Sequence, residues 1–168
     1  MDRSSAANIL IEAFQRGNVR ISVEFFRVLW SGHPCEKWKA ELLGKEVLDL
    51  RPALLDRNFS CFYELTTVGK IGLLPAYLLS MLASASAYDG LYAPVMGYLD
   101  QPGWPPEEDH ADFWREMLDS YDSQQLKAVA TAVFAIEDQV EETDLWEDFD
   151  KASRLRLWRG IVEEHGDG

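Results

Sequence analysis

The sequence predicts an all-α protein folded as one compact multi-helix domain over 1–168. Three observations predict it. Apolar residues recur at helical spacing from Ile9 to Ile161. An apolar content of 47% with six tryptophans is ample for one core at a length of 168 residues. The stretch Phe62–Ala85 is the most apolar part, carries no charge from Ile71 onward, and reads as a central helix for the rest to pack around.

That helix is expected to be capped by Thr66 or Thr67, whose side-chain oxygen can accept from a free amide one turn on. Val68, Ile71, Leu74, Leu78, Met81 and Leu82 keep helical spacing, and Leu73, Tyr77 and Leu79 fill the other sides. Proline lacks an amide hydrogen and clashes with the preceding turn, so the central helix is expected to be broken at Pro75, with a short helix near 67–74 and a longer one after it. The uncharged run is shorter than the ~20 residues of a membrane span.

Elsewhere, Ser4 or Ser5 is placed to cap a first helix bearing Ile9, Leu10, Ala13 and Phe14, which ends at Gly17-Asn18. Val19–Trp30 mixes strand-like alternation with helical spacing; a helix from Ser22 is the preferred reading. Ser31-Gly32-His33-Pro34 is a turn, and Pro34 opens a helix with Trp38, Leu42 and Leu43 inward, stopped at Gly44. Lys45–Leu55 reads as another, which Pro52 would kink or end, and 57–60 reads as a link. Tyr88–Leu99, with Gly90, Pro94 and Gly97, is a broken helix or packed loop. Residues 101–106 are a loop whose Trp104 is expected to fold back onto the core.

A helix from Asp109 turns Phe113, Trp114, Met117 and Leu118 inward, and Tyr121-Asp122-Ser123 caps the next. From Gln125 to Val140, Leu126, Val129, Val133, Ile136 and Val140 form an apolar stripe, with alanines between them for close packing. Asp144 is placed to cap a last helix through Trp158 and Ile161. Glu147–Lys151 and Asp150–Arg154 are spaced as acid-before-base pairs of about 0.3 kcal/mol each. The tail after His165 is expected to fray.

Leu65-Thr66-Thr67-Val68-Gly69 and Leu74-Pro75-Ala76-Tyr77-Leu78 together resemble the signature of a family of uncharacterised bacterial helical proteins. That signature is Leu-Thr-Pro-x-Gly, a few aromatic residues, then Leu-Pro-Ala-Tyr-Leu. Gln124 or Gln125 before Leu126 and Val129 matches a further recurring glutamine, and the resemblance runs from about Trp38 to Ile136. Thr67 stands where the family has proline, and Lys70-Ile71-Gly72-Leu73 replaces the aromatic run. The resemblance implies a helical bacterial protein and no particular activity.

The net charge is −13, and all of it lies in one segment. Residues 107–150 hold 15 acidic and two basic side chains, which leaves 14 of each sign in the rest of the chain. Such an asymmetry points to a partner of opposite sign or to a solvated face. Its densest part contains Glu137, Asp138, Glu141, Glu142, Asp144, Glu147 and Asp148. Glu137–Glu141 and Asp138–Glu142 are like-charge pairs four apart, which weaken a helix by a few tenths of a kcal/mol. A solvated face has no need of that cost, so these residues are read as a docking face for a basic protein.

Glu107–Asp112 could hold a hard cation, but acidic residues also belong at a helix N-terminus; no metal and no cofactor are expected. His33 and Cys35 flank a proline without a third orienting group and read as a turn histidine and a core cysteine. Gly69-Lys70-Ile71-Gly72 lacks the spacing of a phosphate loop. Nucleic acid is disfavoured as a ligand, because the acidic segment would repel its phosphates. Cys35 and Cys61 form no Cys-x-x-Cys, so free thiols in a reducing cytoplasm are the expectation, with a disulfide left open. Met1–Ala7 reads as a native start, and no membrane association is expected.

The functional expectation is a cytoplasmic protein-binding module, an immunity or inhibitor protein that blocks a basic toxin or nucleic-acid enzyme. The alternatives are a small metal-dependent enzyme with its site near Glu108–Asp112 and a structural or adaptor subunit.

Overall fold

The computed structural model describes residues 2–84, 90–100, 108–139 and 151–165. They form helices α1 (Arg3–Gln15), α2 (Glu36–Leu42), α3 (Pro52–Asp56), α4 (Thr67–Ala83), α5 (Glu108–Ser120), α6 (Ser123–Glu137) and α7 (Lys151–His165). Short 3-10 segments lie at Val23–Phe25, Val47–Asp49 and Phe59–Glu64, and a π turn at Tyr92–Met96. The fold is all-α. Among the described residues, extended chain pairs only at Arg20 with Glu46 and Phe26 with Leu65. One hydrophobic core runs from Ala6 to Ile161. No described helix is long and apolar enough to cross a membrane.

Helix α4 is the axis of the core and packs against α1, α3, α5 and α6. Leu73, Leu74, Tyr77 and Leu78 on successive sides of it are all buried, as a helix apolar nearly all round requires. The Thr66 hydroxyl caps it, accepting from the Gly69 amide at 3.1 Å. The same hydroxyl donates to the Glu24 carbonyl at 2.8 Å, and the Thr66 amide donates to the Phe25 carbonyl at 3.0 Å. The turn at 23–25 is thereby clamped to the start of α4. The approach needs glycines: a Cβ on Gly69 would lie 2.0 Å from the Phe25 carbonyl oxygen, and one on Gly72 would lie 2.6 Å from the Phe25 ring.

The expected break at Pro75 does not occur; α4 is continuous from Thr67 to Ala83 with Pro75 inside it. Proline removes the amide that would have served the Ile71 carbonyl four residues earlier. The Tyr121 hydroxyl, arriving from the junction of α5 and α6, donates to that carbonyl at 2.6 Å. A distant side chain thus replaces the missing backbone bond, one of the ways a helix tolerates an internal proline.

Residues 19–30 are neither a helix nor a strand of any length. Their backbone groups are taken by remote chain: the Ile21 amide donates to Lys45, the Ile21 carbonyl accepts from Gly44, the Val19 carbonyl accepts from Val47, and the Arg27 amide donates to Glu64. With these bonds made elsewhere, the helix expected from Ser22 shrinks to the single turn at 23–25. The expected helix over 45–55 likewise divides. Pro52 occupies the first turn of α3, and Val47–Asp49 stands alone before it. The link at 57–60 runs into a 3-10 segment. Asp2, rather than Ser4 or Ser5, caps α1 through the Ser5 amide.

Cys35 and Cys61 are joined in a disulfide, with Cα atoms 5.7 Å apart, so the expectation of free thiols is corrected. The 3-10 segment at Phe59–Glu64 brings Cys61 against the start of α2, and both residues are buried.

Gly44, with φ +79°, turns the chain out of α2 as expected of a stop residue. Asp122 caps α6 in a reciprocal box with Gln125. Leu126, Val129, Val133 and Ile136 face the core as the stripe predicts. The expected end of that stripe at Val140, the Trp104 loop and the Asp144 cap lie outside the described residues.

Candidate functional site

The acidic segment does not lie on one kind of surface. Glu108, Asp109, Asp119 and Asp122 are exposed along α5 and the elbow after it, and Asp138 is exposed at the end of α6. Glu141, Glu142, Asp144, Glu147 and Asp148 lie outside the described residues. Glu137 is different: it is wholly buried. An acid at that position cannot form part of an exposed docking face.

Glu137 belongs to a buried ionic cluster. Its Oε1 accepts from Arg154, itself 0% exposed, and from the Tyr92 hydroxyl at 2.9 Å. Arg154 also donates from Nη2 to the Asp100 Oδ2 at 2.7 Å, and its Nε stands 2.7 Å from Oδ1 in an ion pair without hydrogen-bond geometry. Burial alone would pull the Arg154 pKa down. The hydrogen bond to Asp100 and the charges of Glu137 and Asp100 outweigh it, so the guanidinium is held above its ordinary value. Burial and the Glu137 charge push the Tyr92 phenol up, so it remains a donor. Beside this cluster the Trp158 indole donates to the Leu99 carbonyl at 3.0 Å. The arrangement fastens α7 to α6 and to the 92–100 segment. Its members come from positions 17, 54 and 62 residues from Arg154, so no local spacing marks them in the sequence.

Of the residues considered for metal, Asp109, His110 and Asp112 have separate partners, Glu108 is exposed, and Glu107 lies outside the described residues. The His110 Nε2 lies 3.1 Å from the carbonyls of both Tyr98 and Asp100. The Trp114 indole N–H lies 3.3 Å from the same nitrogen, so His110 sits in a local hydrogen-bond cluster with the 98–100 segment and Trp114. Asp109 pairs with Arg27, and Asp112 pairs with Arg115. No group of three His, Cys, Asp or Glu that could hold a metal occurs among the described residues. At the other candidate, the Cys35 amide donates to the His33 Nδ1 at 3.1 Å, and Cys35 is tied in the disulfide. The Gly69–Gly72 stretch lies within α4, where Lys70 is buried with its Nζ 4.6 Å from the centre of the Tyr98 ring. Burial pulls the Lys70 pKa down.

A cavity of about 410 Å³ opens where the end of α1, the 23–25 turn, the start of α4 and the α5–α6 elbow meet. Its apolar wall includes Phe14, Phe25, Val68 and Ile71, and its polar edge includes Glu24 and Glu116. Val19 and Val68 on its rim are about half exposed, at 46% and 49%. The Glu24 carboxylate accepts from the Ser22 hydroxyl at 3.0 Å, and neither it nor Glu116 forms an ion pair with a described residue. No basic side chain lines the cavity among the described residues. The Leu65–Leu78 stretch builds two of its walls. Thr66, Gly69 and Gly72 seat the Phe25 turn that carries Glu24, and the Ile71 carbonyl freed by Pro75 anchors Tyr121 on the opposite side. The sequence reading missed this cavity, because Glu24, Glu116 and Tyr121 meet only through the fold.

No family model, no curated protein and no solved structure matches the chain.

Proposed function

We propose that this protein is a binding module that docks a basic protein, as an immunity or inhibitor protein does when its carboxylates stand in for phosphates in the cleft of a toxin or nucleic-acid enzyme. The observation that carries the reading is the charge map: the whole net charge of −13 falls within residues 107–150. The exposed acids of α5 and its elbow, with Asp138 at the end of α6, support it, because they present that charge to solvent. Such a surface accelerates encounter with a positive partner and selects against negative ones.

The docking face proposed here is the exposed acid of α5 and Asp138, extended by Glu141, Glu142, Asp144, Glu147 and Asp148, without Glu137. The partner is a basic protein, and the module works without a cofactor. Affinity capture from the native host, with partner charge and salt dependence as readouts, tests it. An acidic partner, or one whose binding ignores salt, refutes the reading.

A further inference from the structure

We infer that the cavity between the 23–25 turn and the α5–α6 elbow receives one arginine or lysine side chain of the docked partner. The inference rests on the binding-module reading and names the contact through which that module would recognise its partner.

Size comes first. At about 410 Å³ the cavity is near the small end of ligand pockets, which run from ~300 to ~1,000 Å³. It suits a single long side chain rather than an extended cofactor. The wall chemistry then selects the kind of side chain. Phe14, Phe25, Val68 and Ile71 offer an apolar surface for a methylene stem. Glu24 and Glu116 supply negative charge at the edge, and no described cation neutralises either one. An apolar sleeve edged by two carboxylates with no described counter-ion matches a stem carrying a positive head.

The site is also held in place. The turn carrying Glu24 is fixed by both Thr66 hydrogen bonds, and Phe25 sits against Gly69 and Gly72. The opposite wall is fixed by Tyr121, which bonds Ile71 and packs edge-on against Phe14 at 5.0 Å. Little rearrangement is needed before binding, which favours affinity. The occupant belongs to a protein because the cavity adjoins the acidic surface: Glu116 lies on α5 between the exposed acids Asp109 and Asp119.

The test titrates the isotope-labelled full chain with the blocked tripeptide acetyl-Gly-Arg-Gly-amide, observing backbone amides by NMR. Its counterpart with citrulline for arginine keeps the shape and removes the charge, and n-propylguanidinium serves as the free, singly charged side chain. Saturable shifts at Val68, Gly72 and Gln125 are expected from the arginine peptide, with the citrulline peptide weaker by about tenfold or more. Glu116→Gln and Glu24→Gln, which keep size and hydrogen bonding, should each weaken the arginine peptide by about fivefold, the scale of a partly exposed charge pair. Their melting curves should match the parent.

Equal binding of the citrulline peptide, or shifts confined to other surfaces, overturns the inference. Tighter binding of n-propylguanidinium than of the peptide also overturns it, by making the occupant a small free cation. None of these readouts needs the partner. A failed cavity therefore leaves the acidic docking face standing, and a failed docking face is read separately from salt dependence and partner charge.

Discussion

Replacing Tyr121 by phenylalanine removes one oxygen and should cost far more than that oxygen's size suggests. The Tyr121 hydroxyl donates to the Ile71 carbonyl at 2.6 Å, and Pro75 has no amide to take its place. The phenylalanine ring keeps the edge-on contact with Phe14. What is lost is the partner of a carbonyl inside α4, and an orphaned buried acceptor costs about 1–3 kcal/mol. The structure also names the rescue. Pro75→Ala restores an amide four residues after Ile71, in place to serve the same carbonyl. Tyr121→Phe should therefore cost about 1 kcal/mol less in the Pro75→Ala background than in the parent. Urea unfolding of the parent, both single variants and the double variant measures this coupling. For slopes of ~1–3 kcal/mol per molar it corresponds to a midpoint difference of roughly 0.3–1 M. Additive effects of the two substitutions would refute the account of why α4 is not broken.

Further outcomes follow from the same structure. Glu137→Gln leaves the buried Arg154 charge short of a partner and should destabilise by about 3 kcal/mol or more, read from chemical unfolding. Reducing the Cys35–Cys61 bond, which closes a loop of sequence separation 26, should lower stability by about 3.5 kcal/mol on the chain-entropy scale, seen as a reductant-dependent midpoint. The Lys70 pKa is lowered from 10.5 in the folded chain, chiefly by burial. The unfolded chain therefore binds more protons in the window below 10.5, so the Lys70 contribution to stability rises with pH there. Lys70→Met should abolish that rise, which unfolding measured at several pH values up to about 10 detects.

Much of the scaffold was legible because its signals are local. The α6 stripe as far as Ile136, the α4 cap at Thr66, one of the two threonines offered, and the Asp122 cap each depend on residues within a turn or two of one another, and these formed. The failures share one cause, which is a remote partner. Pro75 does not break α4 because Tyr121 is brought to Ile71 from 50 residues away. Residues 19–30 do not form a helix because Lys45, Gly44 and Glu64 take their backbone bonds. Glu137 reads as one more acid in a run, yet Arg154 and Tyr92 draw it into the interior. The cavity was illegible for the same reason: its two carboxylates are 92 positions apart and meet only after the Phe25 turn is seated on Gly69 and Gly72.

The most direct test of the functional claim is the association rate of the captured partner at two salt concentrations. It is measured with the parent and with Glu141→Lys combined with Glu142→Lys. The account predicts a basic partner whose association with the parent slows steeply as salt rises, since screening removes the steering charge. The double variant should associate more slowly at low salt and show a flatter salt dependence, while melting like the parent. An acidic partner, or association rates that ignore both salt and the substitutions, would contradict the claim and leave the acidic segment as a solvated face.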